Sequence, residues 1–249
     1  MTPEEMQARL LYRDGLMLVL DKPPGLPVHR GPKGGESLED HFAALRFGLP
    51  RNPALAHRLD RETSGCLVLG RHRKALAALA KLFKTGKVGK TYWAVTESVP
   101  DRPEGRIDIP LARRDEARGW WMKPDPHGLP STTIWRVLGQ AGGRAWLALE
   151  PVTGRTHQLR VHCADMGWPI LGDSIYGSAP RTGGPGLHLL SRAVVVPLYK
   201  NRDPVRVSAP APAHMRAALL ACGWDGQDPP RETRPLIADQ IPIGAIRSG

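Results

Sequence analysis

Apolar residues in this chain come in short runs broken by Gly, Pro and charged residues, and the period of the runs changes repeatedly. Residues 16–20 are an unbroken apolar run closed by Asp21-Lys22-Pro23-Pro24-Gly25, which predicts a strand ending in a turn. Ser37 and Asp40 stand near capping-box spacing ahead of Leu38, Phe42 and Leu45, which repeat as one face of a helix. Residues 65–70 predict a buried strand. Residues 73–84 predict an amphipathic helix, with Leu76, Leu79, Leu82 and Phe83 on one side. Further strands are expected over 91–96, 119–123, 132–138 and 144–150. A helix is expected over 155–166, strands over 192–196 and 205–208, and a closing helix over 214–222. Many strands joined by short turns, with few βαβ units, argue for an α+β domain built on antiparallel sheet. No internal repeat is visible. From residue 225 the chain is rich in Pro, Gly, Arg and Asp without periodicity and reads as a flexible tail, although Ile237, Ile241 and Ile243 could pack back.

Charge adds a partner to this picture. The 249 residues carry 35 Lys and Arg against 24 acidic residues, a formal net charge of +11. The excess is clustered: residues 51–93 hold ten Lys or Arg against only Asp60 and Glu62, a net of +8. Such a patch suits a polyanion, most simply RNA or DNA. Cys66, Cys163 and Cys222 cannot all pair with one another and have no Cys-x-x-Cys spacing, so buried reduced thiols in a cytosolic protein are expected. The N-terminus lacks the apolar run of a secretory signal, and no stretch has the length and hydropathy of a membrane span.

The densest chemistry lies inside the basic stretch, in His57-Arg58-Leu59-Asp60-Arg61-Glu62-Thr63-Ser64-Gly65-Cys66. One carboxylate, Asp60, lies between Arg58 and Arg61, whose charges favour its ionised form, the state a nucleophile or general base needs. Taken alone, the same residues also describe a surface turn with weak ion pairs.

His57-Arg58-Leu59-Asp60 with Thr63-Ser64-Gly65 resembles the signature of the RluA-type RNA pseudouridine synthases. Four more segments agree with that family in order and spacing. They are Asp21-Lys22-Pro23-Pro24-Gly25-Leu26-Pro27-Val28-His29; Lys90-Thr91-Tyr92-Trp93-Ala94-Val95; the segment from Gly154-Arg155-Thr156-His157-Gln158-Leu159-Arg160-Val161-His162 on to Gly172-Asp173-Ser174-Ile175-Tyr176-Gly177; and Leu187-His188-Leu189-Leu190-Ser191. The resemblance runs from about residue 14 to 210. It implies a mixed, mostly antiparallel sheet with a central cleft, the pseudouridine synthase fold. On this reading residues 1–13 are an extension, 14–224 the catalytic domain and 225–249 the tail. The stretch ahead of residue 14 is too short for the small RNA-binding domain many relatives carry, so the catalytic domain itself is expected to grip RNA.

The resemblance also implies roles. Asp60 matches the catalytic aspartate, which either attacks C1′ of the ribose or removes a ribose proton to give a glycal. Tyr92 matches a tyrosine that stacks on the target base and helps proton transfer, while Trp93 on the opposite strand face is expected in the core. Arg160 matches an arginine that pairs with the catalytic aspartate. Leu159 matches a residue lining the uracil pocket, with ordinary helix packing as its plain alternative. Arg58 matches a residue that fills the place of the flipped-out base, with a phosphate contact or salt bridge as its alternative. Arg61, Lys81, Lys84 and Lys87 are expected RNA contacts, and Arg155 is left unassigned. Asp173 reads as a turn residue.

Other chemistries are disfavoured by the residues present. His157 and His162 are off the i, i+4 spacing of a helical zinc motif and read, with His57 and His188, as hydrogen-bonding scaffold. No glycine pair has a phosphate-loop setting, and neither Ser64 nor Ser191 lies in a Gly-x-Ser-x-Gly elbow. A glycosidase would need a second acid beside Asp60. The expected partner is a stem-loop of ribosomal or transfer RNA, with no DNA, membrane, metal or cofactor, and the chain is expected to act as a cytoplasmic monomer. The rival reading is a catalytically silent RNA-binding protein on the same fold.

Overall fold

The computed structural model describes residues 1–31, 34–114 and 121–227. In chain order its elements are α1 (Pro3–Ala8), β1 (Leu10–Arg13), β2 (Met17–Lys22), a 3₁₀ helix (Leu38–Leu45), β3 (Ala54–Leu55), β4 (Ser64–Gly70), α2 (Arg73–Lys84), β5 (Gly89–Thr96), β6 (Glu104–Asp108), β7 (Leu111–Arg113), β8 (Met122–Pro124), β9 (Thr132–Ala141), β10 (Arg144–Pro151), α3 (Gln158–Asp165), β11 (Leu189–Val196), β12 (Val205–Ser208) and α4 (Ala213–Ala221). They fall into two units. The first comprises Met1–Lys90 with Leu190–Pro212, the second Thr91–Leu189 with Ala213–Gly249, described as far as residue 227.

The first unit is organised around β4. All seven of its residues are buried, which is how a strand covered on both faces reads in sequence, as a continuous apolar run. Antiparallel β2 lies along it from Met17↔Gly70 to Lys22↔Gly65, and β11 meets it in parallel at Leu190↔Ser64 and Ser191↔Gly65. β1 extends the sheet beyond β2, β12 pairs with β11, and β3 adds a short pairing on β4. Gly65 has φ +99°, and a Cβ there would collide with the Ser191 carbonyl, so the parallel crossing needs glycine. α2 spans the expected residues and packs on β4 through Ala75 and Leu79. α1 lies outside the expected elements, although its signals are in the sequence: a Thr2–Glu5 capping box and Pro3 in the first turn. The segment 38–45 keeps its Ser37–Asp40 box but winds as a 3₁₀ helix.

In the second unit β5, β10, β9 and β6 form an antiparallel sheet. β9 and β10 make a hairpin through Gly142-Gly143, with φ of 57° and 75°, the two positive values a type I′ turn requires. β9 runs three residues beyond the expected end because that turn sits further along. β7 and β8 pair as a separate ribbon. Trp93 packs edge-on against Trp146 and Trp224 in this unit's core, as expected for that residue. The expected strand at 119–123 is found at Met122–Pro124, with residues 119 and 120 outside the described residues, as is the expected tail from 228 on. Of the pairings described, β4–β11 is parallel and the others are antiparallel, and helices are few, so the α+β class holds. The three cysteines are buried and form no disulfide. Among the described residues no helix is long and apolar enough to cross a membrane.

Candidate active site

Asp60 lies half-buried in the loop between β3 and β4, and that loop is fastened from below by Lys22. Lys22 ends β2 with no solvent exposure. Its Nζ donates to the carbonyls of Pro23 at 2.7 Å, Arg61 at 2.8 Å and Thr63 at 2.8 Å. An ammonium has three donors and no acceptor, so only the charged form satisfies all three carbonyls. Burial pulls its pKa down to about 7, and the negative charges of Glu62 and Asp60 work against that pull. The loop is tightened further by the Thr63 N–H donating to the Asp60 carbonyl at 3.2 Å. The sequence pattern alone assigns Lys22 no task. The available signal was a lysine at the end of a buried strand, directly before a Pro-Pro-Gly turn.

The basic residues near Asp60 divide. Arg58 is exposed. Arg61 is also exposed, but its Nε donates to the Gly25 carbonyl at 2.8 Å and lies 3.4 Å from Glu62. His57 is scaffold, as expected. Its ring stacks on Phe83 with centroids 4.3 Å apart, and its Nε2 accepts the Val68 N–H at 3.0 Å. Burial and the charge of Lys90 push its pKa down to about 3, so the ring is neutral. Phe83 belongs to α2, whose last turn carries the exposed Lys81 and Lys84 with Lys87 just beyond. The His57–Phe83 stack therefore ties this run of cations to the Asp60 loop.

The remaining expected site residues belong to the second unit. Tyr92 and Trp93 are both buried in β5, and Leu159 and Arg160 are buried in α3. Arg160 forks onto Asp173, Nε to Oδ2 at 2.7 Å and a terminal nitrogen to Oδ1 at 2.8 Å. Asp173 Oδ1 also accepts the N–H groups of Ile175 at 2.9 Å and Tyr176 at 3.0 Å. Burial would raise this carboxyl, but Arg160 and the two backbone donors outweigh it and hold it below the usual carboxylate range. Asp173 is thus more than the turn residue its sequence suggested: it is the buried counter-ion of Arg160. It is also committed to that role, which removes it as the second acid of a glycosidase.

His157 completes the cluster. It takes left-handed backbone, φ 52°, and its Nδ1 lies 2.9 Å from the Tyr176 hydroxyl. The same hydroxyl accepts the Met122 N–H at 2.9 Å, and the Arg160 guanidinium sits 5.3 Å over the Tyr176 ring. The helix expected over 155–166 therefore starts only at Gln158. The cause is the Gln158 side chain, which accepts from the Arg155 N–H and the Thr153 hydroxyl and donates to Thr132 and Thr133. His162, inside α3, contacts Thr133, Ile109 and Ser131, as scaffold should. Among the described residues no group of three or more His, Cys, Asp or Glu is placed to hold a metal.

The chain resembles known RNA pseudouridine synthases over most of its length. The sequence profile of the RNA pseudouridylate synthases matches residues 16–165. An uncharacterised RNA pseudouridine synthase of Zymomonas mobilis is 41% identical over 206 residues, which is 82% of this chain and 94% of the relative. A mitochondrial pseudouridylate synthase of Mus musculus is 30% identical, over 89% of this chain and 71% of its own. Among solved structures, human RNA pseudouridylate synthase domain containing 4 superposes with a TM-score of 0.74 at 28% identity, covering 88% of this chain and 95% of that one.

Proposed function

Because the chain belongs to the RNA pseudouridylate synthase family, whose members are isomerases, we propose that it converts specific uridines in structured ribosomal or transfer RNA to pseudouridine through Asp60, without a cofactor. The observation that carries this reading is the Asp60 loop itself, a carboxylate turn held by a fully buried ammonium on three backbone carbonyls. Such rigidity is what positioned catalysis requires.

The reaction breaks the bond between C1′ and N1, turns the uracil, and joins C5 to C1′, with loss of the proton from C5 and uptake of a proton at N1. No electrons enter or leave. Asp60 acts either as nucleophile at C1′ or as base on the ribose, and in both cases it must start ionised. A base stacked within RNA is out of reach, so the target nucleotide is flipped out, with Arg58 taking its place. The same proposal has Tyr92 stacking on the base, Leu159 lining its pocket and Arg160 supporting the carboxylate's charge. Exposed Lys81, Lys84 and Lys87, with Arg61, contact phosphates. The protein works as a monomer in the cytoplasm.

The test is tritium release from RNA labelled at C5 of uridine, on bulk ribosomal and transfer RNA, comparing the wild type with Asp60→Asn. Release by the wild type alone supports the reaction and identifies the RNA pool. A folded, RNA-binding wild type that releases none from either pool overturns it in favour of a silent binder.

A further inference from the structure

A second feature of the Thr91–Leu189 unit has no part in the chemistry above. Where β7 meets the segment leading into α3 there is an open groove of about 440 Å³, a volume in the usual range for a small-ligand site. Its wall carries Arg113, His127 and Arg155, and its apolar surface is made by Leu111, Met122 and Leu129. Leu111 and Met122 are buried, whereas Leu129 is 58% exposed, a large apolar side chain turned to solvent among cations. No acidic residue lines the groove among the described residues, and the nearby Asp125 is paired with Lys123 at 3.3 Å.

The groove is held in shape by backbone. Leu111 and Leu129 exchange N–H to carbonyl bonds at 3.0 and 2.8 Å. The turn that presents His127 is closed by the Gly128 N–H on the Asp125 carbonyl at 2.8 Å and the His127 N–H on Asp125 Oδ1 at 3.0 Å. Arg155 is steadied from two sides: its Nε donates to the Pro130 carbonyl at 3.2 Å and its backbone N–H to Gln158 Oε1 at 3.0 Å. That leaves the outer edge of the guanidinium for a ligand. The wall is also joined to the Arg160 cluster, because the N–H of groove residue Met122 donates to the Tyr176 hydroxyl.

We propose that this groove binds one unpaired nucleotide of the substrate RNA, its phosphate between Arg113 and Arg155 and its base or ribose against Leu129. Two arginines suit a phosphate because the guanidinium fork matches its oxygens, and an exposed apolar side chain suits the face of an unstacked base. The net charge of +11 favours a polyanion over an acidic peptide of modest charge. The inference rests on the RNA-modifying reading and adds a contact away from the reacting uridine.

The experiment titrates a short fluorescein-labelled single-stranded oligouridine across a salt series, using wild type, Arg113→Glu with Leu129→Ser, and Arg155→Gln. The first two side chains are exposed, and the Leu129 pairing is through backbone, so these changes leave the fold intact. The double variant should bind about tenfold more weakly, and its salt slope should drop by about one, the share of one lost phosphate contact. On whichever RNA pool supports tritium release, KM should rise with kcat unchanged, since the contact is made equally before and during reaction. Variants that match the wild type in both affinity and slope overturn the groove. Wild type that binds but releases no tritium counts against the proposed reaction and leaves the groove standing on the binding data.

Discussion

The Arg160 guanidinium and the Asp173 carboxylate close a two-pronged ion pair at 2.7 and 2.8 Å, with 4% and 1% of their side chains exposed. Removing one partner of a buried pair typically costs about 3–5 kcal/mol. Asp173→Ala should therefore lower stability by that order in urea unfolding and suppress tritium release as well. Asp173→Asn, which keeps an acceptor for Ile175 and Tyr176, should lose less stability. A loss under about 1 kcal/mol in the alanine variant would mean that Arg160 is compensated by its other contacts.

Lys22 makes a different kind of buried charge, satisfied by carbonyls. Lys22→Met takes away the donor that the Pro23 and Thr63 carbonyls accept from, while the Arg61 carbonyl keeps only the Gly25 N–H. The relief of ammonium desolvation offsets part of that, so a net loss of about 3 kcal/mol is expected, with tritium release falling although Asp60 is untouched. Lys22→Arg should not restore activity, because a planar fork cannot replace a three-pronged donor. Full activity in either variant would show that the loop does not depend on this anchor.

Acid sensitivity follows from His57. Its pKa is pushed from 6.5 to about 3 in the folded protein, while in the unfolded chain it keeps its ordinary value. Between those values the unfolded state binds the proton first. Its contribution to stability is therefore complete above about pH 6.5 and is lost as pH falls toward 3. Buried His162 and His188 are shifted downward too and act in the same direction. Thermal unfolding from neutral pH downward should show Tm falling, more shallowly in His57→Phe, which removes this titration. Parallel profiles for the two proteins would rule out His57 as a contributor.

The exposed cations of α2 should act on RNA and not on the fold. Replacing Lys81, Lys84 and Lys87 together with Glu should weaken RNA binding most at low salt and lower the salt slope by up to about three, with Tm little changed. Equal affinity across the series would place the RNA on another face.

Local physics made part of this protein legible from the chain alone. The amphipathic period of residues 73–84 and the continuous apolar run of β4 appear where expected, because each records which side of its own element is buried. The stretch from His57 to Gly65 is legible as a turn carrying a carboxylate, since those residues are adjacent in sequence. Partners far apart in the chain were not. Asp173 looked like a turn residue because nothing local reveals that Arg160 lies against it. Residues 155–157 looked helical until Gln158, bonding to Thr132, Thr133 and Thr153, started the helix later. Lys22 ends an apolar strand, and only the folded chain brings the Arg61 and Thr63 carbonyls to its ammonium. Periodicity records burial, which each residue carries in its own side chain. The partner of a buried polar group is chosen by where the rest of the chain passes, and only the tertiary structure decides that.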